Sequence, residues 1–134
     1  MKPINLDDAK RADIRHINTA NAVEKFHEAC RQSSLRYYPV NCENILNKKQ
    51  LLNLFADALE FPDYFGYNWD ALYDVLCDDD WIDEHGVVLH LKHTALLQSR
   101  TVYDWQMLHE TLEEVIDYWR SLDTPFWVFI DHTR

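Results

Sequence analysis

Two aspartates and a tyrosine near the middle of the sequence share one face of a predicted helix, where they could attract a positively charged group. Asp70, Tyr73 and Asp74 stand at positions i, i+3 and i+4, and Asp78 extends the same face by one turn. Asp70 has an ordinary explanation, because the helix dipole stabilises a carboxylate in a first turn by about 0.3–1 kcal/mol. Asp74 and Asp78 lack that explanation, since like charges at this spacing repel and no Lys or Arg lies nearby in the sequence.

Aromatic side chains accompany these acids. Tyr64, Tyr67, Trp69 and Tyr73 cannot all face the core if the apolar stripe of the same helix is buried. Tyrosine and tryptophan are also the residues that anchor protein interfaces. We interpret the segment as an interaction site for a basic protein surface. The alternative is that most of these rings are ordinary packing and that the acids form a solvated face.

The acidity of the chain is concentrated in one stretch. The net charge is −10, and residues 50–91 contain ten acids but no Lys or Arg, whereas the remaining segments carry 13 of each sign. Such a field repels phosphate backbones, so we do not expect nucleic acid as a direct ligand. The ten acids are Asp57, Glu60, Asp63, Asp70, Asp74, Asp78, Asp79, Asp80, Asp83 and Glu84.

The glycine content excludes several enzyme classes. Gly66 and Gly86 are the only glycines. The sequence therefore contains no Walker-type phosphate loop, no dinucleotide-binding turn and no G-x-S-x-G elbow of serine hydrolases. Asp70 and Asp74 could be paired carboxylates of a glycosidase, but the sequence shows no sign of a sugar cleft around them. We therefore predict no catalytic residues and no enzymatic activity.

Cysteine and histidine usage predicts a protein without disulfides, metal or cofactor. Three cysteines without a C-x-x-C pair suit a reducing cytoplasm, and no apolar run approaches the length of a membrane span. His85, His90 and His93 lie close together along the chain but lack any metal-ligand spacing. We expect them to pack or to face solvent.

Periodicity predicts an α/β domain in which a small three-stranded parallel sheet is covered by helices. The predicted strands cover residues 35–41, 87–91 and 126–130, and the most clearly marked helices begin after Asn47 and at Asn68. Residues 1–18 are polar and are expected to be irregular, while residues 20–32 are expected to form an additional N-terminal helix.

The central segment resembles the barstar family of bacterial ribonuclease inhibitors. The resemblance rests on KKQLL (residues 48–52), FPDYFG (61–66) and NWDALYD (68–74), which occur in the family's order and spacing. It extends over about residues 36–131 and is specific rather than compositional. It implies a barstar-like domain at 36–134, preceded by a partly helical N-terminal extension at 1–35 that could cover a sheet edge, extend the contact or join two copies.

The resemblance also implies roles for individual residues at the active site of a barnase-like nuclease. Asp74 would mimic an RNA phosphate among the nuclease's cationic groups, and Asp70 would pair with a neighbouring basic residue. Tyr64 would pack on the active-site histidine. The remaining partner-binding residues would be Asn68, Trp69, Tyr73, Trp81 and Asp117.

Several positions depart from the family's founding member. Tyr67 replaces an acid, Trp69 a smaller aliphatic residue and Tyr73 a tryptophan, so the partner need not be barnase itself. The family also contributes a glutamate from its long late helix, and the register here offers Asp117 or Tyr118 in its place.

The leading hypothesis is a cytoplasmic inhibitor or immunity protein that occludes a basic, barnase-like RNase or a nuclease toxin domain. A second hypothesis is a binding module of the same fold whose basic partner is not a nuclease. A third, an acidic hydrolase, would show turnover that depends on Asp70 or Asp74. The sequence specifies neither the cognate nuclease nor the oligomeric state.

Overall fold

The computed structural model describes residues 4–82 and 85–133, so Asp83 and Glu84, two of the ten acids, lie outside the described residues. The chain forms four strands, five α-helices and one 3-10 helix within these ranges. In chain order they are the 3-10 helix Ala9–Arg11, β1 Ile14–His16, α1 Ala20–Gln32, β2 Arg36–Asn41, α2 Lys48–Ala58, α3 Trp69–Leu76, β3 Val87–Lys92, α4 Ala95–Arg100, α5 Val102–Ser121 and β4 Phe126–Ile130.

The sheet has four parallel strands in the order β1-β4-β3-β2, rather than the three that the sequence predicts. The three predicted strands are present as β2, β3 and β4. The additional strand, β1, pairs Ile14 with Val128 and His16 with Ile130. The prediction that residues 1–18 are irregular is therefore wrong at residues 14–16. This strand could not be recognised from its sequence, because three edge residues with two exposed side chains show no hydrophobic pattern.

The direction of the crossovers places helices on both faces of the sheet. The connections from β2 to β3 and from β3 to β4 each move one strand in the same direction, so right-handed crossovers put α2 to α5 on one face. The connection from β1 to β2 runs across the whole sheet in the opposite direction. Right-handedness therefore puts α1 on the other face.

Contacts of the N-terminal segment confirm that it covers this second face. Phe26 of α1 packs on Phe129 with ring centroids 4.3 Å apart. On the same face, Trp127 donates a hydrogen bond from its indole nitrogen to the carbonyl of Leu6 at 2.7 Å. Arg120 of α5, on the first face, donates to the carbonyl of Ala12 just before β1. Of the roles open to residues 1–35, the covering of a sheet edge is filled by β1, which pairs with β4, and α1 in addition covers a sheet face. Extending the contact and joining two copies stay predictions.

A titratable side chain lies beneath α1. His90 is in the middle of β3 and is 2% exposed, with its ring against Phe26 at 4.8 Å between centroids. Its Nδ1 shares a hydrogen bond with the hydroxyl of Tyr37 at 2.7 Å, and its Nε2 has no hydrogen-bond partner. Burial lowers the pKa of His90 from 6.5 to about 4.

Replacing Phe26 with alanine should lower the free energy of unfolding by about 3–5 kcal/mol, because it opens a cavity between α1 and the sheet. The exposed Tyr103→Ala variant serves as control and should change stability by less than about 0.5 kcal/mol. Denaturant unfolding measures both.

The division of the chain into an extension at residues 1–35 and a domain at residues 36–134 stays a prediction. The same unfolding experiment addresses it, because two units that unfold separately would give two transitions.

Stability should fall as the pH is lowered from 6.5 towards 4, because the unfolded chain protonates His90 in this range and the folded chain does not. One such proton contributes up to about 1.4 kcal/mol per pH unit. Unfolding measured at pH 7 and pH 5 for wild type and His90→Leu should show a smaller pH effect in the variant. An equal loss of stability between pH 7 and pH 5 in wild type and His90→Leu would contradict the lowered pKa of His90.

Candidate functional site

The loop between α2 and α3 is held by a turn and one buried ring. The amide of Phe65 donates to the carbonyl of Pro62 at 3.0 Å, and the Phe65 side chain is 5% exposed and packs on Phe61 with centroids 4.9 Å apart. Because Phe65 points inward, its neighbour Tyr64 points outward and is 71% exposed. The loop therefore presents an aromatic ring to solvent from a fixed base.

Helix α3 begins at a well-formed cap. The Asn68 side-chain oxygen accepts a hydrogen bond from the amide of Ala71 at 2.7 Å, as an N-cap should. Gly66 lies close by, and a Cβ at this position would come within 3.3 Å of the Ala71 Cβ. The loop and the first turn of α3 are thus packed tightly enough that glycine is favoured at position 66.

The orientation of α3 follows from its buried side. Leu72, Val75 and Leu76 are buried, and the indole nitrogen of Trp119 in α5 donates to the carbonyl of Leu76 at 2.8 Å. Asp70 and Asp74 are consequently exposed on the opposite side of the helix, as the sequence pattern predicts.

The exposed acids border a groove between α3 and α5, with a volume of about 420 Å³. Helix α5 adds two further carboxylates, Glu110 and Glu114, which the sequence analysis does not identify. In the sequence these two residues are visible only as acidic positions on an amphipathic helix. Which side of that helix packs against α3 depends on the tertiary structure. The groove is lined by Trp69, Asp70, Tyr73, Asp74, Met107, Glu110, Thr111 and Glu114.

The aromatic residues of α3 are partly buried at the rim of this groove. The ring of Trp69 has the Lys48 ammonium 5.8 Å from its centroid, a cation–π arrangement that links α2 to α3. Desolvation raises the pKa of the Tyr73 hydroxyl, and Cys77, Glu114 and Tyr118 add to the shift. Both side chains are therefore partly packed and partly accessible.

Asp78 has a different environment from Asp70 and Asp74. It lies beyond the end of α3 and is only partly exposed, and its carboxylate accepts a hydrogen bond from the Tyr64 hydroxyl at 2.9 Å. This hydrogen bond raises the pKa of the Tyr64 hydroxyl. Asp78 is therefore tied to the loop, whereas the sequence pattern suggests a third carboxylate on the exposed face.

Trp81 packs against the domain itself. Its ring stacks on Tyr38 with centroids 5.5 Å apart and meets Phe61 edge-on, while its indole nitrogen donates to the carbonyl of Leu59 at 3.0 Å. Its one hydrogen-bond donor is thus used internally, and only part of the ring is accessible.

The two candidates from the late helix lie on different sides of α5. Asp117 is exposed, pairs with Arg120 at 2.6 Å and lines a separate groove that includes Asp13 of the N-terminal segment. Tyr118 instead contributes to the raised pKa of the Tyr73 hydroxyl and packs edge-on against Trp119. The structure thus brings Trp69, Asp70, Tyr73 and Asp74 together in one groove and places Asp117 in another. Asn68 lies at the start of the same helix, and Tyr64 is bonded to Asp78 just beyond its end.

The described residues contain no group of three or more His, Cys, Asp or Glu side chains that could hold a metal ion. Of the histidines considered for such a site, His90 is buried beneath α1 and His93 shares a hydrogen bond with Thr133 at 3.0 Å. Cys30, Cys42 and Cys77 are free, and burial raises their thiol pKa values to about 11, 12 and 11. These thiols are neutral near pH 7 and are poor nucleophiles.

No helix in the described ranges is both long and apolar enough to cross a membrane.

A parallel α/β domain that displays exposed carboxylates and aromatic rings on one helix is suited to binding another protein. The profile of the family described as Barstar (barnase inhibitor) matches residues 35–131. The chain therefore belongs to the Barstar family, and this membership indicates a protein-binding module. Among curated proteins, none matches the sequence.

Solved structures share the fold, and two of them are origin recognition complex (ORC) proteins. The Aeropyrum pernix ORC2 protein, determined in ADPNP–ADP complexes, aligns with a TM-score of 0.60 at 17% identity over 96% of this chain and 37% of its own. Drosophila ORC bound to DNA aligns with a TM-score of 0.53 at 12% identity over 95% of this chain and 34% of its own. The chain spans about a third of the length of these structures, and at such identities the likeness shows the fold alone.

Replacing Asn68 with alanine should lower the free energy of unfolding by about 1 kcal/mol, because the amide of Ala71 loses its cap. Asn68→Asp keeps an oxygen in the same place and should be close to wild type. Denaturant unfolding of the three proteins measures the difference. An alanine variant as stable as the aspartate variant would contradict a role for the cap in holding the start of α3.

Proposed function

We propose that this protein binds and occludes the active site of a basic, barnase-like ribonuclease or nuclease toxin domain, and thereby protects the cell that makes it. The observation that carries the proposal is the exposed acidic face of α3, where Asp70 and Asp74 line a groove together with Trp69 and Tyr73. The proposal includes binding without catalysis, and it assigns no reaction to this chain.

Charge supports a nuclease as the partner. An RNase active site must be cationic to hold a phosphodiester, and an exposed carboxylate at the centre of a groove can take the place of a phosphate there. In this proposal Asp74 enters among those cationic groups and Asp70 pairs with a basic residue beside them. Glu110 and Glu114 extend the negative field on the α5 side of the groove. Such a field accelerates encounter with a basic protein and is screened by salt.

Shape and chemistry supply the rest of the contact. Tyr64 offers an exposed flat ring that can stack on an imidazole, while Trp69 and Tyr73 offer accessible edges next to the acids. Aromatic anchors of this kind contribute much of the binding energy at protein interfaces. Asn68 has its side-chain oxygen committed to the cap, so in this proposal it lines the contact rather than anchoring it.

Replacing Asp74 with asparagine should weaken the complex with barnase, used as the probe, by about 2–5 kcal/mol, because it leaves cationic groups of the partner buried without a counter-charge. Glu24→Gln is a matched control, since Glu24 is an exposed acid on α1, on the opposite face of the sheet. It should leave the dissociation constant unchanged. Inhibition of RNA cleavage and surface-based binding kinetics at low and moderate salt measure both variants.

Two results would overturn the proposal. One is the absence of binding to any barnase-like RNase. The other is a complex whose affinity is unaffected by Asp70→Asn together with Asp74→Asn. A basic protein captured through the same residues that does not degrade RNA would instead support the non-nuclease binding module.

A further inference from the structure

Tyr64 is exposed to solvent and is also held at its tip by a hydrogen bond. Its ring is 71% exposed, which is typical of a side chain that samples several rotamers, yet its hydroxyl is bonded to Asp78, 14 residues further along the chain. The backbone beneath the ring is held by the turn between Pro62 and Phe65. The side chain is therefore fixed at both its base and its tip while its faces stay open.

Asp78 is itself fixed on several sides. Its amide donates to the carbonyl of Val75 at 3.2 Å at the end of α3, and its own carbonyl accepts from the amides of Trp81 and Ile82 at 3.1 and 3.2 Å. Within its carboxylate, Oδ1 accepts from the amide of Asp80 at 2.8 Å, which leaves Oδ2 for the Tyr64 hydroxyl. The acceptor of Tyr64 thus belongs to the turn that ends α3 and does not move independently of it.

Fixing an exposed side chain before binding has a direct effect on affinity. Ordering one flexible side chain at an interface costs about 0.5–1.5 kcal/mol, and a side chain already held in its bound orientation avoids that cost. The free protein needs no such bond for its core, because the Tyr64 ring contributes little buried surface. The bond therefore acts mainly on the orientation of an exposed ring.

We propose that Asp78 is a positioning residue that holds the Tyr64 ring in its binding orientation and does not itself contact the partner. This inference rests on the proposed function, because it assumes that Tyr64 stacks on the nuclease. It distinguishes Asp78 from Asp70 and Asp74, whose carboxylates face the groove.

The experiment compares Asp78→Ala with Asp79→Ala, which removes an adjacent exposed charge and leaves the bond between Tyr64 and Asp78 in place. With barnase as the probe, Asp78→Ala should raise the dissociation constant about 2- to 10-fold more than Asp79→Ala does, chiefly through faster dissociation. Tyr64→Phe removes the hydroxyl and keeps the ring, so it should weaken binding as much as Asp78→Ala. The double variant should be no weaker than either single variant, because both remove one interaction.

A second measurement needs no partner. NMR of the isolated protein, with ring-labelled tyrosine and Tyr64→Phe for assignment, should show a Tyr64 hydroxyl that titrates above its ordinary pKa of 10.0 in wild type and Asp79→Ala. In Asp78→Ala the titration should move back towards that value.

The outcomes separate this inference from the proposed function. An ordinary Tyr64 titration in wild type overturns the inference whatever the binding result. So do additive effects in the double variant, equal losses from Asp78→Ala and Asp79→Ala, or tighter binding by Asp78→Ala. If wild type binds no barnase-like RNase, the proposed function fails, and the role of Asp78 in binding fails with it even where the titration shows the bond.

Discussion

The parallel pairing of β3 with β4 is the constraint on which the rest of the structure depends. Every residue of β4 is buried, and so is every residue of β3 before Lys92. Strands that are apolar on both faces need a layer of structure on each side, since an uncovered face would leave Trp127 and Phe129 in water. This requirement explains why a protein of this size needs its N-terminal segment as well as its four later helices.

The same constraint orients the acidic face of α3. Helices α2 to α5 share one face of the sheet, and on this face α3 and α5 pack beside each other, joined by the hydrogen bond from Trp119 to the carbonyl of Leu76. The apolar stripe of α3 is used by the core, so its acids have only the outer surface to occupy. The groove between the two helices, with carboxylates on both walls, is a consequence of sheet topology.

Local patterns predicted much of this arrangement because they act over one or two helical turns. The positions of Asp70, Tyr73 and Asp74 on one face, and the cap at Asn68, follow from helical periodicity and from the chemistry of a side-chain oxygen near free amides. The pairing of the first strand could not be predicted in this way, because three residues carry no period and the partner strand is more than a hundred residues away. The sequence could not predict that Glu110 and Glu114 line the groove, or that Tyr64 is bonded to Asp78, for a related reason. Each of these features depends on which elements become neighbours.

The amino-acid sequence by itself determined the family, the three strands of the central sheet, the site of excess negative charge and the helix that carries it. These properties are encoded in residue type and short-range spacing. Only the tertiary structure decided that residues before β2 complete the sheet and cover its second face, that α5 contributes acids to the groove, and that Asp78 holds Tyr64. The physical reason is that burial and hydrogen bonding between distant segments depend on how the sheet brings them together, and no local pattern contains that information.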